Sequence, residues 1–293
     1  MHQSTSKIET TQLRVICAEQ DCEAGYNLKA AFPDFPEVLQ AWQKASAEIA
    51  PSMLSDAHIA YGAQPLQTFD VYRAAGADRP LLVFIHGGYW QGGDKSDIGF
   101  IAAPYVRAGI SVAVMNYSLA PQAGIEQMTA EVHAMLRHIK GMASQLGIDT
   151  GRISLMGHSA GGHLAAYVAA DLAADNAAAS NPQALKAVFA ISGLFDLLPL
   201  IPTSLNKALT LDTRRAEQLS PVLMAGPSGT RVHTIIGEHE TGQFHIQAAV
   251  IANCWPQVVA HHVVPATHHY TVLWPLADAD SPVCQAVIAE ILA

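Results

Sequence analysis

The chain has 293 residues and a mass of 31.1 kDa; half its residues are hydrophobic, 14% are charged, and it carries 8 Phe, 8 Tyr and 4 Trp. This composition predicts a large packed core and excludes disorder as the main state. The net charge is −9, from 16 Lys and Arg against 25 Asp and Glu, and no basic run occurs, which excludes the electrostatic footprint needed for nucleic acid or an anionic membrane.

Residues 1–14 are polar and lack the apolar core of a secretory signal or anchor. No apolar run approaches the roughly 20 residues that span a bilayer. Cys17, Cys22, Cys254 and Cys284 are scattered without C-x-x-C spacing, as reduced thiols are. These features point to a soluble cytoplasmic protein, with a small molecule or another protein as partner. A single α/β domain is compatible with this length.

The first strand signal is Leu66 to Tyr72, which alternates with period two after the turn residues Tyr61 to Pro65 and predicts an antiparallel edge strand. Leu81 to Ile85 and Ile110 to Met115 are continuous apolar runs, the pattern of strands buried on both faces. A helix is expected between them, over Ser96 to Ala108. A longer one is expected over Gly124 to Leu146, where Ile125, Met128, Val132, Met135, Leu136 and Ile139 fall at helical spacing. Next come a short strand, Ile153 to Met156, an alanine-rich helix from Ala160 to about Ala174 and a strand at Ala187 to Ile191. The last third predicts a strand at Val232 to Ile236, a helix at Gln243 to Asn253, a strand at Val258 to Val264 and a closing helix at Pro282 to Leu292. Alternating strands and helices imply a mainly parallel sheet covered on both faces. Residues 22–55 and 195–227 break the alternation and are candidate cap segments; no internal repeat is visible.

Two motifs carry chemistry. Gly157-His158-Ser159-Ala160-Gly161 stands directly after a strand and directly before a helix, the context a G-x-S-x-G nucleophile elbow requires. Such a turn strains the serine backbone and presents Oγ at the helix start, where the dipole favours developing negative charge. Ile85-His86-Gly87-Gly88-Tyr89-Trp90 follows the strand Leu81 to Ile85, where a second set of oxyanion donors belongs. Losing one such donor typically lowers turnover about 10²–10³-fold.

A serine needs a histidine to take its proton and an acid to orient that histidine, and in this topology they follow in the order serine, acid, histidine. The strand Val232 to Ile236 ends in Gly237-Glu238-His239-Glu240, offering two carboxylates. The strand Val258 to Val264 is followed by His268 and His269, offering two imidazoles. Among the 14 histidines, His239, His245, His261, His262, His268 and His269 could suggest a metal, but His239 to His245 lacks the H-E-x-x-H spacing.

Together the motifs resemble the α/β-hydrolase superfamily and, within it, the serine-dependent arylformamidase (kynurenine formamidase-like) group. The resemblance is carried by His86 to Gln91, Gly157 to Leu164, Tyr61-Gly62 through Phe69 to Tyr72, Gly237 to Glu240 with Phe244-His245, and His269-Tyr270. Tyr-Trp after His-Gly-Gly is the group-specific part, since general esterases usually have glycine or alanine there. The resemblance implies an α/β-hydrolase fold with Ser159 as nucleophile, Glu240 as acid and His269 as base. Backbone donors at Gly88, Tyr89 and Ala160 would form the oxyanion hole, with Gly87 allowing close approach and Tyr89 and Trp90 either walling the pocket or serving a structural role under the oxyanion loop. The group usually has aspartate where this chain has Glu240, which leaves Glu238 as an alternative acid, and the adjacency of the two imidazoles leaves His268 as an alternative base.

The expected activity is cofactor-free cleavage of a small aryl-linked formamide or related amide or ester, without metal. A broad-specificity carboxylesterase and a catalytically inactive binding protein are the alternatives.

Overall fold

The expected strands are laid into one eight-stranded sheet in the computed structural model, which describes residues 22–176 and 185–293. The strands are β1 (Asp56–Ala60), β2 (Thr68–Tyr72), β3 (Arg79–Ile85), β4 (Ser111–Met115), β5 (Ile148–His158), β6 (Ala187–Ile191), β7 (Arg231–Gly237) and β8 (Val258–Val264). They lie in the order β1-β2-β4-β3-β5-β6-β7-β8, and β2 alone runs antiparallel to its neighbours. This is the mainly parallel, doubly covered sheet of the α/β-hydrolase fold.

The helices that cover it are α1 (Cys22–Tyr26), α2 (Phe35–Met53), α3 (Ala102–Arg107), α4 (Ile125–Gly141), α5 (Ala160–Asn176), α6 (Gly242–Cys254) and α7 (Pro282–Leu292). Period-two alternation divides the central strands between two cores. Leu81, Val83 and Ile85 of β3 face one cluster with α4 and α5, while Leu82 and Phe84 face the other with Trp42, Phe100 and α7. A strand buried on both faces needs no polar alternation, which is why β3, β4 and β6 read as unbroken apolar runs.

Three expectations are corrected. Strand β2 is antiparallel but not an edge, because β1 pairs along its outer side. Strand β1 has a weak signal: Asp-Ala-His-Ile-Ala is poor in β-branched residues, His58 has φ +54°, and the ladder shifts register between Asp56 and Ile59. The helix expected over Ser96 to Ala108 is broken into a turn at Lys95–Ile98, a 3-10 turn at Gly99–Ile101 and α3. The helix expected over Gly124 to Leu146 stops at Gly141, and a further turn, Ala143–Leu146, ends on Gly147 in the left-handed region. The polar stretch 1–14 and Cys17 lie outside the described residues.

Register aligns the ends of the parallel strands. Ile85 pairs with Gly157, His158 with Ile191, Ile191 with Ile235 and Gly237 with Val264. The loops after β3, β5, β6, β7 and β8 therefore leave the sheet side by side at its carboxyl edge, the place where open α/β sheets build their sites.

Candidate active site

Ser159 occupies the turn between β5 and α5 with φ +56°, a left-handed conformation rare for a residue with a Cβ. Its glycine neighbours are dictated by contact rather than by flexibility. A Cβ on Gly157 would run into the carbonyl of Gly161, and one on Gly161 into the carbonyl of Ile85. The turn is pinned from the next strand, since Ser159 N–H donates to Ile191 O at 2.7 Å. The expected strand–turn–helix elbow is present, with Ser159 at the amino end of the 17-residue α5.

The segment after β3 packs onto this elbow. A Cβ on Gly87 would lie 3.0 Å from both Ser159 Cβ and His158 O, so the close approach demands glycine. Gly88, Tyr89 and Trp90 have φ of +106°, +51° and +57°, and the turn closes through Gln91 N–H to Gly88 O at 2.9 Å. Among the described residues the N–H groups of Gly88, Tyr89 and Ala160 donate to no backbone carbonyl, which leaves them available to an incoming oxyanion.

Tyr89 is half-buried, and its hydroxyl donates to Tyr26 O at 2.8 Å, tying α1 to this loop. Burial, with Tyr26 next in effect, holds the Tyr89 phenol well above its ordinary range, so it remains a neutral donor. Trp90, for which the sequence leaves a pocket wall and a structural role under the loop both open, is wholly buried, its ring edge-on to His163 with centroids 5.1 Å apart. The left-handed step at each residue turns the two successive side chains to different surroundings, one to the α1 contact and one to the core.

Glu240 and His269 meet at the ends of β7 and β8. His269 Nδ1 is 2.8 Å from Glu240 Oε2, and the two side chains are 1% and 0% exposed. A carboxylate accepts, so Nδ1 carries the proton and Nε2 is left as a base. Glu238, the alternative acid, points elsewhere: its carboxylate accepts from Ala266 N–H at 2.9 Å and is half-exposed. His268, the alternative base, turns towards Asp34, 3.1 Å away, and stacks on Phe32 with centroids 4.6 Å apart.

Two neighbours of this pair were not singled out by sequence reasoning. Ser192, the residue after β6, donates its hydroxyl to Glu240 Oε1. His158, inside the elbow motif, has Nε2 2.8 Å from His269 O and its ring 4.8 Å from the His269 ring. Burial, with a smaller push from His269, holds His158 well below the ordinary histidine range, so it is neutral and donates Nε2–H to that carbonyl. A polar residue followed by glycine at the end of an apolar strand, Ser192-Gly193, was the signal available for the first. The second was hidden because the middle positions of the motif read as spacers.

Farther out, Lys95 is sealed at 2% exposure, with Nζ 2.8 Å from Asp70 Oδ1 and 3.1 Å from His58 Nδ1. Its N–H donates to Asn116 Oδ1 at 2.6 Å, and Asn116 Nδ2 donates to Asp94 Oδ2 at 2.7 Å, so this network anchors the far end of the glycine loop to β2 and β4. Among the described residues no group of three or more His, Cys, Asp or Glu side chains converges as a metal site, and no helix is long and apolar enough to cross a membrane.

A strained serine between a glycine-rich loop and a buried carboxylate–imidazole pair, all at the carboxyl edge of this sheet, defines an enzyme of the α/β-hydrolase superfamily. The chain belongs to the BD-FAE family, whose model matches residues 69–228. It is 29% identical over 242 residues to kynurenine formamidase from Salmo salar, covering 79% of this chain and 80% of that one. The crystal structure of a candidate thioesterase from Silicibacter sp. TM1040 superposes with a TM-score of 0.81 at 29% identity, covering 94% of this chain and all of the other. An esterase from Pyrobaculum calidifontis shares the fold, with a TM-score of 0.65 at 19% identity over 98% of this chain and 97% of its own. The family match and the kynurenine formamidase relative agree with the arylformamidase-like resemblance carried by the motifs.

Proposed function

We propose that the protein is a serine hydrolase that releases an arylamine from a small N-formylated substrate through an acyl-enzyme. Ser159 Oγ attacks the formyl carbon while His269 Nε2 takes its proton. The carbonyl oxygen becomes an oxyanion held by the N–H groups of Gly88, Tyr89 and Ala160. The C–N bond then breaks, His269 returns the proton to the departing amine, and Ser159 is left as a formyl ester. Water, deprotonated by the same imidazole, releases formate and restores the serine. Glu240 holds the Nδ1–H tautomer and stabilises the imidazolium at each transfer. No cofactor enters these steps.

The observation that carries the reading is the buried Glu240–His269 pair on the strand ends beside the Ser159 elbow. The formamide choice is supported by the kynurenine formamidase relatives together with the Tyr89 loop. We assign the chain one domain, in which residues 22–55 and 195–227 form a cap. In support, the Glu23 carboxylate accepts from Ser204 N–H at 2.6 Å and from Ser204 Oγ at 2.8 Å, and α1 touches the Tyr89 loop. The scattered cysteines support a reducing, cytoplasmic setting.

Rates on an N-formylated arylamine and on short-chain aryl esters, measured side by side, test the substrate choice. The reading expects kcat/KM to favour the formamide, whereas turnover of esters alone would make the protein a carboxylesterase.

A further inference from the structure

We propose that Ser192 is a positioning residue, whose hydroxyl fixes the Glu240 carboxylate so that it reaches His269. This inference rests on the triad proposed above and explains how a glutamate works at that position. Glutamate has one more rotatable bond than aspartate, so its carboxylate can swing where an aspartate would be held by its own backbone. Among the described residues each oxygen has one side-chain donor: Oε1 accepts from Ser192 Oγ and Oε2 from His269 Nδ1. With the side chain fully enclosed, neither oxygen has solvent as a substitute partner. Donors on both sides remove the extra rotation.

Ser192 is itself held firmly. Its N–H donates to Ile235 O at 2.8 Å, and the carbonyl of the same peptide unit, Ile191 O, accepts from Ser159 N–H at 2.7 Å. One peptide plane therefore joins the nucleophile turn to β7, and the side chain at its end reaches the acid. The backbone at Ser192 has φ +48°, where glycine would be relaxed and serine is strained, and the residue is 2% exposed. The hydroxyl is the only polar group that this strained side chain brings to the site, and Glu240 takes it.

The test compares Ser192→Ala and Ser192→Gly with Glu240→Gln and with the Ser192→Ala/Glu240→Gln double variant, all on the full chain. Ser192→Gly removes the hydroxyl while relaxing the left-handed backbone, so that backbone strain does not add to the loss of the hydrogen bond. The proposal expects both single serine variants to lower kcat about 10–10²-fold, as small misplacements of catalytic groups do. KM should stay within about twofold, and the melting temperature of Ser192→Gly should not fall below that of Ser192→Ala. Within the Glu240→Gln background, Ser192→Ala should change kcat by less than about twofold, because its route of action has gone. The low-field proton resonance of His269 Nδ1–H should shift in Ser192→Ala. If Glu240→Gln is crippled while both serine variants retain kcat, or if the two effects multiply, Ser192 is no positioning residue and the triad stands. A silent Glu240→Gln overturns the triad acid and this inference with it.

Discussion

Glu240 Oε2 accepts Nδ1–H of His269 at 2.8 Å, and the two side chains are almost completely enclosed although they sit on separate turns after β7 and β8. The turns are brought together by the backbone: His239 N–H donates to Thr267 O at 2.8 Å, and a Cβ on Gly237 would lie 2.6 Å from that same carbonyl. Gly237 is thus required by the closeness of the two turns, and Glu240 is carried to the imidazole by the same approach.

Replacing Glu240 by Gln should lower turnover about 10³–10⁴-fold, because a neutral amide cannot stabilise the imidazolium and favours the wrong tautomer. Glu238→Gln should leave kcat within about threefold, since its carboxylate only caps Ala266 N–H at the surface. Glu240→Asp shortens the reach and should lose on the order of 10²-fold. Steady-state kinetics of the three variants decide the matter; a damaging Glu238→Gln beside a silent Glu240→Gln would move the acid to Glu238.

Much of this arrangement is legible in the sequence, and what is not has physical causes. Strands β3, β4 and β6 show themselves because a strand buried on both faces of a parallel sheet is apolar over nearly all its length. The glycines of the elbow and of the His86 loop show themselves because backbone contact forbids a side chain there. Strand β1 and the Lys95–Asp70 pair do not, because a lysine 25 residues from its aspartate looks like any surface charge until the sheet brings them together. For Trp90 the sequence leaves two readings open, a pocket wall or a support under the oxyanion loop, and its complete burial fits the second.

That buried pair makes a stability prediction. Lys95→Met leaves Asp70 enclosed without its cation, and should destabilise the fold by about 3–5 kcal/mol. Adding Asp70→Asn should return part of the loss, because the unpaired charge is then gone. Urea denaturation of the two variants measures both effects; a Lys95→Met protein as stable as the parent would mean that the ion pair contributes nothing.

Acid should weaken the fold through its buried histidines. Burial pushes His163 down to about 4 against an ordinary value of 6.5, with the Leu219 carbonyl opposing, and burial likewise lowers His86 and His158. Each is protonated more readily unfolded than folded, so its contribution is complete above about pH 6.5 and is lost as pH falls towards the folded value. For His163 the window runs from 6.5 down to about 4. Denaturation midpoints should decline across it, and His163→Gln, which keeps a donor for Leu219 O but does not titrate, should decline less steeply. A midpoint independent of pH through this range would contradict the assignment of these histidines as neutral.

The nucleophile can be tested without knowing the substrate. A fluorophosphonate forms a stable adduct only with an activated serine, and peptide mass spectrometry locates it. The account predicts one adduct, on Ser159, strongly slowed in Glu240→Gln and His269→Ala and absent from Ser159→Ala, whose melting behaviour should match the parent. Labelling at another serine, or formamide hydrolysis surviving in Ser159→Ala, would contradict it.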